Sequence, residues 1–443
     1  MLYEILHPIF SLIVAFFILV SIHEFGHYIV ARWCGVHVIR FSVGFGPVLF
    51  GRSDRHGTEF ALSAIPLGGY VKMLDNREYQ VPAAMQQYEY NGKSPWQRIA
   101  IAAAGPAANL LTAVLIYWLV HLIGTPQLPL YTGQIVDGSP AQEAGLQPGL
   151  KIVAVDRHPT ESPRELVLQM VSRIGESGTL IVTTEEPSGN TTRDHVFILD
   201  RWLENETGPD PLASLGFNLS VPAIIGNPVT GSPAAAAGLR AFDRIVAVND
   251  EPVIGWHDWT NRIRTAPGET LILTVARDGT TVLNSLTPEA RTARNGDTIG
   301  YAGVSYAPPE RVSAGPIGSL AKGFGETLAI TGLTFELLGK MITGQLSPTN
   351  LSGPITIAKV ASESASSGWM TFLRFLALIS ISLAVINLLP IPILDGGHIL
   401  FYIAEIIMGK PVPQRIQLAG IKIGIILIGT LMFYVLYNDI LNW

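Results

Sequence analysis

Four stretches of the chain are mostly apolar over lengths that suit a membrane: residues 5–31, 97–123, 371–408 and 421–441. A hydrocarbon core about 30 Å thick needs roughly 20 apolar helical residues, so these predict four transmembrane helices. The third must be interrupted, because it holds Pro390, Pro392 and the pair Gly396-Gly397. Residues 41–73 are instead rich in glycine and β-formers, which predicts short strands or a re-entrant loop. Residues 316–345 mix apolar positions with Lys322, Glu326, Glu336 and Lys340 and predict an interfacial helix. Composition agrees with a membrane protein: charged residues are 14% of the chain and mean hydropathy is +0.35.

The first apolar stretch has Glu4 as the only charge before it, and no small-residue cleavage site precedes His23. It is therefore expected to be a retained helix rather than a signal peptide. Eight basic residues lie in the connection from the first span to the start of the second, residues 32–98: Arg32, Arg40, Arg52, Arg55, Lys72, Arg77, Lys93 and Arg98. Their excess assigns that side to the cytoplasm, in agreement with Lys410, Arg415 and Lys422 between the last two spans. Both termini and the segment 124–371 then face outward.

That outer segment contains a repeat. Residues 138–156 (GSPAQEAGLQPGLKIVAVD) match residues 231–249 (GSPAAAAGLRAFDRIVAVN) at 11 of 19 positions, at an offset of 93. An offset of this size is that of a small domain, so two tandem modules are expected. Each copy reads as a turn, a short helix ending at glycine, and an apolar strand.

The net charge of −6, with no basic stretch interleaved with aromatics, gives no support for a nucleic-acid partner. The lone cysteine, Cys34, excludes an intrachain disulfide and a cysteine-rich metal knuckle. A metal site must use histidine and carboxylate.

The first span supplies candidates in His23-Glu24-Phe25-Gly26-His27. A helix puts residues i and i+4 on one face, so both imidazoles can reach one ion while Glu24 reaches a metal-bound water. Ionisable groups within a span are costly unless coordinated, paired or hydrated. A catalytic zinc generally takes three protein ligands, and the comparable carboxylate is Asp395 in Asn387-Leu-Leu-Pro-Ile-Pro-Ile-Leu-Asp395-Gly-Gly-His398. Counted from the outer face, Asp395 lies at about the same depth as His23 and His27. The small residues around Gly105 in the second span predict close helix packing, with Asn109 either bracing the site or hydrogen-bonded between helices.

The two motifs together resemble the site-2 protease family, over nearly the whole chain. The repeat resembles PDZ domains, with Leu215-Gly216-Phe217 similar to a carboxylate-binding loop and Gly300-Tyr301-Ala302 a weaker counterpart. The Gly-Asp usual before the strand is incomplete in both copies, Gly149-Leu150 and Phe242-Asp243. Peptide capture by strand addition and a spacer or size filter remain equally open for these modules.

The site-2 resemblance implies Zn2+ held by His23, His27 and Asp395, with Glu24 as general base. It implies a substrate-binding role for Asn387, and Pro390 and Pro392 are grouped with it. Ser382 stands where some relatives carry a second asparagine, His398 is expected either to pack or to support a metal ligand, and Ser352-Gly-Pro-Ile-Thr resembles a family motif without evident chemistry. The implied substrates are single-span membrane proteins, an anti-sigma factor already cut on its outer side and remnant signal peptides, taken in an unwound form by a membrane-associated β element. A monomer in contact with membrane lipid is expected.

The expected fold is a polytopic α-helical membrane protein with four transmembrane helices, a membrane-associated β region and two inserted α+β PDZ-like domains. The expected segments are a first helix (1–33), the β region (34–96), a second helix (97–124), PDZ-like domains (125–220 and 221–310), an interfacial helix with linker (311–370), the broken third helix (371–408), and a loop with the fourth helix (409–443). A zinc transporter or sensor would use the same ligands but leaves the PDZ pair unexplained. A PDZ scaffold without enzymatic activity leaves the two buried motifs unexplained.

Overall fold

A computed structural model describes residues 2–77, 80–126, 130–185, 191–293, 296–309 and 311–441. Met1, Glu310 and Trp443, where expected segment boundaries fall, lie outside the described residues. The chain divides into two compact units, one of residues 1–124, 313–339 and 348–443 and the other of 125–312 and 340–347.

The first unit is helical. It contains α1 (Leu2–Trp33), α2 (Pro95–Ile123), α3 (Gly315–Ile342, as far as residue 339), α4 (Pro354–Ser366), α5 (Trp369–Leu388), α6 (Asp395–Met408) and α7 (Gln414–Leu441). Among the described residues α1, α2, α5 and α7 are long and apolar enough to cross a membrane. α2 starts sharply because Ser94 accepts from the Gln97 backbone N–H while the Gln97 side chain accepts from the Ser94 N–H, and Pro95 takes the first helical position. It packs against α1, α5 and α6. Ala15 and Leu19 of α1 share a core with Ala361 of α4 and Phe375 and Leu376 of α5.

Helix α5 ends at Leu388 because Pro390 cannot continue it and biases Leu389 to an extended conformation, observed at φ −61° and ψ 145°. The Gly396-Gly397 pair, expected to help break the helix, lies instead in the first turn of α6. Its role is close approach: a Cβ on Gly396 would meet Leu388 O at 2.3 Å, and one on Gly397 would meet Ile391 O at 2.2 Å. Residues 354–366, expected to be linker, form helix α4.

Between α1 and α2 lie β1 (Val38–Ser53) and β2 (Glu59–Met73), paired antiparallel. Both bend, so residues 40–43 of β1 pair with 59–62 on one side and 69–72 on the other. Segment 69–73 is thus paired along one edge only among the described residues. Gly44, at φ 92°, lies where a Cβ would be 2.8 Å from Ile65 O, which only glycine permits.

The two larger sheets of the second unit are antiparallel. One has the strand order Thr192–Leu199, Gly178–Glu185, Lys151–Val155, Tyr131–Ile135, Phe217–Ser220. The other has the order Glu251–Pro252, Arg244–Val248, Leu271–Arg277, Thr280–Leu286. Trp259, Ile245, Leu273 and Val275 anchor a core over the second sheet. The sequence repeat is a repeat of backbone geometry. Ser139 and Ser232 each cap a short helix that begins at proline, and the turns at Gly145 and Gly238 have φ 71° and 72°. Thr132 O accepts from Gly149 N–H as Ile225 O accepts from Phe242 N–H, both at 2.8 Å.

The same comparison corrects one equivalence. Val136 N–H donates to Gly216 O and Val229 N–H to Gly303 O, and the hydroxyls of Ser139 and Ser232 face the same two carbonyls. Gly303 at φ 79° therefore corresponds to Gly216 at φ 82°, whereas Gly300 lies in the strand Thr298–Tyr301.

Candidate metal centre

His23 and His27 occupy one face of α1, one helical turn apart, with their rings 4.8 Å apart and nearly perpendicular. Their Nε2 atoms are 3.2 Å from each other. Asp395 is the first residue of α6, where the partial positive charge of a helix N-terminus favours a carboxylate. Its Oδ2 lies 3.2 Å from His23 Nε2 and 3.5 Å from His27 Nε2. Among the described residues this is the one cluster of three histidine, cysteine or acidic side chains placed to share an ion.

The triangle can be tested against a metal. An ion bound tetrahedrally at about 2.0–2.1 Å separates its ligand atoms by roughly 3.3 Å, close to all three edges. Asp395 Oδ2 is buried and makes no hydrogen bond, so a carboxylate oxygen faces two imidazole nitrogens with its own lone pairs unsatisfied. The residues fit a zinc ion.

Helix α2 sets this geometry. His27 Nδ1–H donates to Ile101 O at 2.7 Å, which leaves the Nε2 lone pair directed at Asp395. His23 Nδ1 lies 3.3 Å from the side-chain amide of Asn109. Between these contacts is Gly105, where a Cβ would lie 2.3 Å from His27 Nε2 and 2.8 Å from His23 Cε1. Gly26 performs the reciprocal service on α1, since a Cβ there would lie 2.4 Å from Ala104 O.

Glu24 borders the cluster without belonging to it. A Cβ on Gly69 would lie 3.0 Å from Glu24 Cγ, and Val71 lines the same cavity as Glu24. Strand segment 69–73 thus lies beside the carboxylate. A cavity of about 1090 Å³ is lined by His23, Glu24, His27, Asn387, Asp395 and that strand segment.

Residues 11–431 match peptidase family M50. The chain is 42% identical over 440 residues to the regulator of sigma-E protease RseP of Escherichia coli, covering 97% of each chain. It is 41% identical over 447 residues to the RseP of Salmonella typhimurium, covering 98% of this chain and 99% of that one. A Vibrio cholerae protein named as a zinc metalloprotease is 39% identical over 448 residues, covering 98% of this chain and 99% of its own.

The chain belongs to peptidase family M50, the site-2 proteases.

This M50 protein is accordingly a zinc metalloprotease of the site-2 type. Its Asn387 lies in the last turn of α5 and lines the cavity, with Nδ2 donating to Leu383 O at 2.9 Å. Pro390 and Pro392 do not line it. Pro390 is exposed, and Pro392 packs where Gly397 and Gly420 leave room for it. The Ser382 hydroxyl donates to Leu378 O in its own helix. His398 lines the cavity beside Tyr402, their ring centroids 6.5 Å apart.

Three contributors to the geometry of this cluster lie outside the two motifs: Gly105, the carbonyl of Ile101, and Ser380, which donates to Asn109 O at 2.8 Å. The recurrence of residues 101, 105 and 109 at four-residue spacing was the available signal. It marks one helical face and does not say that a pair of imidazoles lies against it.

Proposed function

We propose that this protease cleaves single-span membrane proteins within the bilayer, with zinc held by His23, His27 and Asp395 and Glu24 as general base. The reading rests above all on the His23, His27 and Asp395 triangle lying beside Glu24 in one cavity with strand segment 69–73. When bound, the zinc supplies a Lewis acid that polarises a carbonyl and lowers the pKa of water. Glu24 takes the proton of the attacking water and returns it to the leaving amine.

A substrate helix hides its carbonyls in its own hydrogen bonds and must unwind before attack. Segment 69–73 offers strand pairing to the unwound stretch, and Asn387 offers an amide to its backbone. Pro390 and Pro392 act on substrate indirectly, by ending α5 so that Asn387 and Asp395 reach the same cavity.

The basic residues between α1 and α2 support a cytoplasmic location for β1 and β2, with termini and repeats outside the inner membrane. The two repeats are read as PDZ-like modules that select substrates. The named activity of the relatives supports an anti-sigma factor as substrate, and the requirement for one unwound span extends to remnant signal peptides. The protein acts as a monomer.

The test is a Glu24→Gln variant followed with a tagged single-span substrate in membranes. Cleavage should fall by at least about 10²-fold. Undiminished cleavage would remove the proposal.

A further inference from the structure

Both histidines are tied to α2 through the ring nitrogen that points away from Asp395. For His27 the partner is the Ile101 carbonyl, which can only accept, so Nδ1 carries the proton. For His23 the partner is the Asn109 side-chain amide, placed with its Nδ2 3.3 Å from Nδ1, and the amide oxygen and nitrogen exchange places by a half-turn. Asn109 is fully buried, and its second amide atom makes no hydrogen bond. No other contact therefore fixes which amide atom faces the ring.

The chemistry of the site fixes it. If the amide nitrogen donates to His23 Nδ1, the ring proton sits on Nε2, facing His27 Nε2 and Asp395, and His23 has no lone pair for a metal. If the amide oxygen accepts from Nδ1–H, the Nε2 lone pair is free. We propose that Asn109 is a positioning residue that presents its Oδ1 to His23 Nδ1–H, holding the tautomer and ring orientation needed for zinc. Ser380 fastens the same turn of α2 by donating to Asn109 O. A leucine would fill the buried space without leaving an amide atom unpartnered, so packing alone does not account for asparagine here.

This inference rests on His23 being a zinc ligand, and the experiment separates the two. Zinc affinity of the full chain, purified in detergent, is measured by competition with a chelator for wild type, Asn109→Leu, Asn109→Asp and His23→Ala. Asn109→Leu should weaken zinc binding about 10–100-fold. Asn109→Asp, an acceptor only, should stay within a few-fold of wild type. Equal losses in Asn109→Leu and Asn109→Asp would overturn the proposal, because they would mean that the amide donates or merely packs. Unchanged binding in Asn109→Leu would also overturn it. Unchanged binding in His23→Ala would instead overturn the ligand assignment beneath it. Amide hydrogen exchange along α2 monitors folding, and a loss of zinc in a folded Asn109→Asp is decisive even where Asn109→Leu does not fold.

Discussion

Asp439, near the end of α7, accepts a hydrogen bond of 2.7 Å from the Thr356 hydroxyl at the start of α4. It also accepts from the backbone N–H groups of Gly353, Ile355 and Thr356, so a residue more than 80 positions away caps α4. Gly353 is required there, since a Cβ would lie 2.3 Å from Asp439 Oδ2. This gives Ser352-Gly-Pro-Ile-Thr a structural meaning. Asp439→Ala should destabilise the start of α4 by about 2 kcal/mol, and Asp439→Asn by less. Faster amide exchange at residues 353–357 is the expected readout.

Gly105 leads to a sharper prediction. The atoms its Cβ would strike are both His27 Nε2 and His23 Cε1, and the opposing wall is Gly26 packed on Ala104. Gly105→Ala must therefore displace the two rings proposed to hold the metal. Zinc content of the purified protein should fall together with proteolysis, although alanine is the better helix former. Full zinc occupancy in Gly105→Ala would show that α1 and α2 separate without cost.

The difference between what was legible in the sequence and what was not follows from locality. The apolar stretches and the spacing of His23 and His27 are properties of one segment, and a helix converts them directly into a span and a shared face. The roles of Gly105 and Asn109 depend on which face of α2 meets α1. The cap on α4 depends on a carboxylate from the far end of the chain, so residues 354–366 read as linker. Gly303 was missed as the partner of Gly216 because the side chains around it have diverged while the hydrogen bonds to Val136 and Val229 have not.

Acidification should loosen the second unit in two steps. His195 is fully buried, donating from Nδ1 to Ala144 O while Nε2 accepts from the Thr184 hydroxyl. Burial pushes its imidazole below the ordinary 6.5, against a smaller opposing effect of the Ala144 carbonyl. The unfolded chain then binds the proton more readily, so stability is lost as pH falls below 6.5 towards the folded value. Asp243 is the opposite type of group. Burial raises its carboxyl, but Arg277 and the Arg240 N–H outweigh this and hold it below 3.8. The stability it contributes is present above 3.8 and lost as pH falls through the lower folded value. Amide exchange in strands Gly178–Glu185 and Leu271–Arg277, corrected for intrinsic rates, should show the first and second steps respectively. A first step that persists in His195→Gln would exclude His195 as its source.

The repeat also contains a strained position. Phe242 has φ 68° where the first copy places Gly149 at φ 82°, and both residues donate to the corresponding carbonyls, Ile225 O and Thr132 O. A left-handed backbone costs a residue with a Cβ about 1–2 kcal/mol, whereas glycine adopts it freely. Phe242 is 71% exposed, so its ring gains little packing in return. Phe242→Gly should therefore stabilise the second copy by about 0.5–1 kcal/mol, the remainder being offset by the greater entropy of unfolded glycine. Gly149→Ala should destabilise the first copy by a similar amount. Both effects can be read from the opening free energies of strands Arg244–Val248 and Lys151–Val155 by native-state hydrogen exchange. A loss of stability in Phe242→Gly would show that the exposed ring makes a contact worth more than the strain, and that strand Arg244–Val248 depends on it.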